Sequence, residues 1–171
     1  MSDKPGEGRG RAARAVILGV SAALALVLSY LELLLPPIYP PLPAIKWGLA
    51  NIAVVFVLVK FGTLRGMAVA AVKVMLTALL FGSFVSMAYS AAGAVLSLTV
   101  MSLLKKSERF SALGISVSGG VAHNVGQILM AVILLGRVEI AYYLPVLVVS
   151  GTLSGIAVGI CGGLAVKRVR I

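Results

Sequence analysis

The chain is built from long apolar runs separated by short polar breaks. About 20 apolar residues suffice to carry an α-helix across a bilayer. The first run, 15–35, predicts one such helix. The polar, basic, Gly-containing segment 1–14 ahead of it reads as a disordered cytoplasmic arm. A basic segment before an apolar run also describes a secretory signal. This run is longer than a typical signal core, however, and no small-residue cleavage site follows it. The prolines at 36, 37, 40, 41 and 43 cannot continue a helix, because Pro has no N–H and clashes with the preceding turn. They predict a stiff loop. Further runs predict spans over 44–59, 67–81, 84–104, 110–135 and 140–166, the second and third short. The breaks are Lys60 to Gly66, Gly82-Ser83, Lys105 to Arg109 and Gly136 to Glu139. Six helices over 15–166, closed by a basic cytoplasmic tail at 167–171, make an all-α integral membrane protein with both termini on one side.

Composition narrows the class. Of 171 residues, 60% are hydrophobic and 12% charged, against roughly 25% charged in a soluble domain. A soluble globule, a disordered chain and a collagen-like fibre are excluded. Fifteen basic residues against five acidic give a formal charge of +10. Nucleic-acid binding would account for such an excess, but the charges sit at the ends of apolar runs. Twelve basic residues lie on one predicted side: Lys4, Arg9, Arg11, Arg14, Lys60, Arg65, Lys105, Lys106, Arg109, Lys167, Arg168 and Arg170. Lys46 and Arg137 lie on the other, and Lys73 falls within a span. The positive-inside rule therefore places both termini in the cytoplasm and the Pro-rich loop outside. Every Tyr and the one Trp (Tyr30, Tyr39, Trp47, Tyr89, Tyr142, Tyr143) fall in the outer half. An interfacial belt explains them, and so does an outward-facing vestibule for a ligand.

Small residues recur at helical spacing. Gly151, Gly155, Gly159 and Gly163 form an unbroken stripe on the sixth span, which predicts a helix–helix seam, since helices in lipid associate through close backbone approach. Ala15, Gly19 and Ala23 form a similar face on the first span; it suits either packing inside the bundle or docking of another subunit. Ser86, Ser90, Gly93 and Ser97 form a third such face on the fourth span.

Polar groups at membrane depth are the candidate chemistry, because each is costly there without a partner. Lys73 lies midway along the third span, and Glu32, near the outer end of the first, is the one acid within a span. They suit either a ligand site or a structural ion pair, and Lys73 alone could instead snorkel toward the interface. Lys46 lies at the outer start of the second span, where interface anchoring also explains it, and Asn51 about a turn and a half deeper, where a bond between helices also does. His123, Asn124 and Gln127 form a polar stripe on the fifth, where Gly119 and Gly120 permit either a close helix approach or a local break. With Tyr30 and Tyr89 from the outer half, these are the candidate substrate contacts. No zinc-protease, nucleophile-elbow or P-loop motif occurs. One Cys, Cys161, and one His make no metal site. The only Asp is Asp3, so the carboxylate clusters that hold Mg²⁺ and diphosphate in prenyl synthases are missing. The chain is expected not to be an enzyme and to carry no intrinsic cofactor; whether a quinone, prenyl lipid or flavin binds stays open.

The segments Ser29-Tyr30-Leu31-Glu32, Pro43-Ala44-Ile45-Lys46-Trp47-Gly48-Leu49-Ala50-Asn51-Ile52, Leu80-Phe81-Gly82-Ser83, Gly114-Ile115-Ser116-Val117, His123-Asn124-Val125-Gly126-Gln127 and Tyr142 to Leu147 together resemble a bacterial inner-membrane family. It is called heptaprenyl diphosphate synthase component I, or Gx transporter. The resemblance covers about 13–166. It implies a six-helix fold like that of the substrate-binding S components of energy-coupling factor transporters. In such an assembly the Pro-rich loop would cap an outward-facing pocket. The Ala15/Gly19/Ala23 face would dock on a transmembrane coupling subunit served by two cytoplasmic ATPases. The expectation is a small-molecule-binding importer subunit in the bacterial cytoplasmic membrane. The alternatives are a membrane module of isoprenoid or quinone metabolism, including flavin-linked electron transfer, and a scaffold that only assembles other subunits.

Overall fold

A computed structural model of the protein describes residues 5–35, 48–82 and 84–169. These residues are 90% helical with no strand. Six α-helices follow in order: α1 (Pro5–Leu34), α2 (Asn51–Phe61), α3 (Thr63–Phe81), α4 (Phe84–Lys106), α5 (Ala112–Leu135) and α6 (Leu144–Arg168). A 3₁₀ helix, Val138–Tyr143, precedes α6. Five segments are long and apolar enough to span a membrane: Ala12–Leu34, Thr63–Phe81, Phe84–Lys106, Ala112–Leu135 and Val138–Arg168.

Several boundaries depart from the hydropathy pattern. α1 starts at Pro5, ten residues before the apolar run; the apolar part nucleates the helix, which extends back through Gly6, Gly8 and Gly10 despite their poor helix propensity. Pro5 stands at its first position, where a missing N–H costs nothing. α3 includes Thr63 to Gly66, leaving only Gly62 (φ +99°) as the break from α2. At the chain's end, Lys167 and Arg168 remain helical. The Pro-rich loop, Lys46 and Ser83 lie outside the described residues.

The second span differs most. At about 1.5 Å per residue, the 11 residues of α2 reach about 16 Å, roughly half the hydrocarbon thickness of a bilayer. The helix opens from a turn at Gly48 (φ +76°), whose carbonyl accepts from Asn51 N at 2.9 Å. A β-carbon on Gly48 would lie 3.6 Å from Ser154 Cβ, near the middle of α6. α2 thus starts inside the bundle, not at its rim. A helix apolar on every face must be enclosed, and Ala53 to Leu58 are all buried. Val54 to Leu58 pack with Val69 and Ala70 of α3, Leu98 and Met101 of α4, Ile115 of α5 and Val158 of α6. The outward face of the bundle is apolar: Leu79, Phe84, Ile133 and Leu153 are largely exposed.

Hydrophobic burial gives helices little reason to associate in lipid, so close approach must do so. α5 is the strut. A β-carbon on Gly119 would lie 2.6 Å from Met101 of α4, and one on Gly126 2.7 Å from Ala92 O. One residue round from Gly119, Gly120 touches the Gly151 carbonyl of α6. Gly155 packs on Val117 and Gly159 on Leu113, so the α6 stripe runs along α5. At Gly163 the nearest atom, Ala112 Cβ, is 3.8 Å from an added β-carbon, and the seam has opened. The paired glycines of α5 leave the helix unbroken and admit a different neighbour on each side.

α1 joins through Ser21, Ala25 and Ser29, all buried. Its Ala15/Gly19/Ala23 face points away from the bundle and is exposed; nothing lies within 4 Å of a β-carbon built on Gly19. The C-termini of α2, α4 and α6 gather at one end, where basic side chains meet their open carbonyls. Lys105 Nζ donates to Leu58 O and, at 3.1 Å, to Val59 O. Arg65 donates to Phe61 O at 2.7 Å and Lys60 to Val166 O at 3.4 Å. A helix C-terminus carries orphan carbonyls and partial negative charge, and these cations answer both.

Candidate functional site

The interior encloses a cavity of about 100 Å³ lined by all six α-helices. At roughly 10–15 Å³ of such space per water, it has room for about seven to ten water molecules. Its wall is unusually polar for a bundle in lipid. Among the described residues seven hydroxyls line it: Ser29, Thr77, Ser86, Ser90, Ser97, Ser116 and Ser154. Glu32, Asn51, Lys73, His123, Asn124 and Gln127 join them.

The N-terminal turn of α2 organises one part. Glu32 Oε1 accepts from Ala50 N at 3.4 Å, and Lys73 Nζ donates to Asn51 Oδ1 at 2.8 Å. An acid of α1 and a base of α3 thus hold consecutive residues of the same turn. The carboxylate lies where the helix dipole is positive, which makes Glu32 an anchor of α2 as well as part of the cavity wall. Asn51 projects from the first turn because α2 begins there.

The fifth helix supplies the opposite wall. A β-carbon on Gly93 would stand 2.8 Å from His123 O, 2.9 Å from His123 Cε1 and 3.0 Å from Gln127 Cγ. The missing side chain at Gly93 is therefore what lets His123 and Gln127 sit against α4. Asn124 donates from Nδ2 to Leu147 O at 2.7 Å and to Ser150 Oγ at 3.3 Å. It ties α5 to the first turns of α6, an interhelical role beside its place in the wall.

Six of the nine residues singled out as substrate contacts therefore share one cavity, and Lys46 lies outside the described residues. The other two lie off the cavity wall. Tyr30 is 44% exposed, its ring 5.1 Å from that of Phe81 in a tilted stack, and Tyr89 is half-buried outside the cavity wall. Each is one residue from a cavity serine, Ser29 or Ser90. A helix turns about 100° per residue, so an adjacent side chain points elsewhere. Tyr142 and Tyr143, on the 3₁₀ helix, are exposed at the periphery. None of the described aromatic residues lines this cavity, and Tyr39 and Trp47 lie outside the described residues.

Sequence reasoning missed most of the hydroxyls as site residues. A signal was present: Ser29 is three before Glu32, Thr77 four after Lys73, and Ser86, Ser90 and Ser97 share one face of α4. Serine and threonine are common in membrane helices, where they also bond back to their own backbone. Thr99 and Thr152 do so, each at 2.8 Å to the carbonyl four residues earlier. Without the neighbouring helices the two uses look alike.

No curated protein and no solved structure matches the chain at a significant level. A family model described as Heptaprenyl diphosphate synthase component I matches residues 22–164, which encloses every described residue of the cavity wall, from Ser29 to Val158. Helical membrane architecture and the family match agree along most of the chain, and the protein belongs to the heptaprenyl diphosphate synthase component I family.

Proposed function

We propose that the protein is the substrate-binding membrane subunit of an energy-coupling factor type importer, with both termini in the cytoplasm, and that it is not itself an enzyme. The observation that carries this reading is the polar cavity inside an otherwise apolar bundle. Polar groups are expensive at membrane depth and mark ligand paths when they converge. Here hydroxyl, amide, imidazole, carboxylate and ammonium groups from six helices converge on one space. The exposed small-residue face of α1 gives a coupling subunit a smooth surface to pack on. The chain has no P-loop, so an ATP-driven step belongs to partner ATPases. Its one Asp, Asp3, lies far in sequence from the cavity residues, so the carboxylate cluster of a prenyl synthase has no counterpart in the wall.

The test is purification in nanodiscs through a C-terminal tag, with mass spectrometry of what accompanies the chain. A transmembrane coupling subunit with two ATPases is the expected outcome. A second reading, a non-catalytic module of isoprenoid or quinone metabolism, has the family's description in its favour. Recovery of a prenyl synthase, or of redox proteins with a bound quinone or flavin, would replace the importer reading with it.

A further inference from the structure

Buried polar groups in folded proteins almost always have partners, and exceptions point to a missing water or ligand. Among the described residues, four buried side-chain hydroxyls have no partner within the protein: Ser29, Thr77, Ser102 and Ser116. Three of the four line the cavity. Ser29 and Ser116 are only 4% and 3% exposed as whole residues. Ser29 lies one turn before Glu32 on α1, and Thr77 one turn after Lys73 on α3. Ser116 lies on α5, seven residues before His123 and thus about 10 Å along the helix. The orphan hydroxyls therefore occupy separate parts of the wall.

The charges of the wall bear on the same question. Among its described residues there is one acid, Glu32, and one lysine, Lys73, and their formal charges cancel. An anion such as a diphosphate would bring several negative charges into a space whose described residues carry no net formal charge, and uncompensated charge is strongly disfavoured at membrane depth. A hydroxyl both donates and accepts, so the orphan groups suit alcohols, amides or ring nitrogens. A cavity of about 100 Å³ suits a small molecule.

We infer that the cavity binds a small polar molecule of no net charge, held by hydrogen bonds, with Ser29 and Ser116 among its contacts, and that a prenyl diphosphate is not its ligand. This rests on the cavity being a ligand site, as the importer reading does, but it concerns the chain without its partners. The experiment is thermal unfolding of the purified protein in nanodiscs with four probes: uridine, nicotinamide, inorganic diphosphate and farnesyl diphosphate. A rise in midpoint with uridine or nicotinamide and none with either diphosphate is expected. Ser29→Ala and Ser116→Ala should each weaken the stabilising probe about tenfold while leaving the ligand-free midpoint unchanged, since neither hydroxyl has a protein partner to lose. Stabilisation by a diphosphate, by neither neutral probe, or with wild-type affinity in both variants would overturn the inference. A lower ligand-free midpoint in either variant would do the same, because it would reveal a structural bond. None of these outcomes requires a coupling subunit, so failure here is distinguishable from failure of the importer reading.

Discussion

Lys73 of α3 donates to the side-chain oxygen of Asn51 at 2.8 Å, tying a lysine inside the bundle to the first residue of the short helix α2. The contact serves both fold and site, because the turn it holds is part of the cavity wall. Lys73→Met should cost about 1–3 kcal/mol by leaving the Asn51 oxygen without this donor. It should also weaken ligand binding at least tenfold, with Lys73→Arg retaining part of both. Thermal unfolding and a binding isotherm on the same preparations check the two effects; unchanged binding by Lys73→Met removes the residue from the site.

The α5–α6 seam predicts a gradient along one stripe. Gly151→Ala places a methyl 2.8 Å from Gly120 O, and Gly155→Ala one 2.7 Å from Val117 Cα, both backbone atoms. Each should destabilise by about 1–3 kcal/mol, as over-packing does. Gly163→Ala, whose methyl would meet Ala112 Cβ at 3.8 Å, should be close to neutral. Unfolding midpoints of the three variants suffice, and equal loss at Gly163 would show that helix propensity or lipid contact, not the seam, governs the series.

Gly19 offers the opposite case, with open space around it. Gly19→Leu should leave the unfolding midpoint and ligand binding of the isolated chain unchanged. If the α1 face docks a coupling subunit, the same change should abolish co-purification of that partner. Retained co-purification moves the docking surface elsewhere.

Lys105 caps the end of α2 from α4. Replacing it by Met leaves carbonyls at the α2 terminus without their cation, at a cost of about 1–3 kcal/mol. Lys105→Arg should recover most of that. Because α2 carries Asn51 at its other end, Lys105→Met should also loosen the Lys73–Asn51 contact, which amide hydrogen exchange in α2 would report as faster exchange. Exchange at the wild-type rate would confine the cap's influence to the helix terminus.

Much of this protein follows from its sequence alone. Length and hydropathy determine a helical membrane chain, because a bilayer admits few other ways to satisfy a backbone. Gly at every fourth position of α6 marks a close-packed face. Charged and amide groups inside apolar runs mark where the interior is polar. What tertiary structure decided was relative placement. Hydropathy assigns residues to runs, not to faces, so Tyr30 and Ser29 looked equally placed until α2 and α3 closed on one side of α1. The stripe at 151–163 names no partner; α5 became its partner because Gly120 lets the two backbones touch. The half-length α2 begins inside the bundle because a positive-φ turn at Gly48 fits beside Ser154, and only neighbouring helices can bury a helix so short and so apolar. The cavity belongs to this second kind of information, since it is the space that six packed helices leave between them.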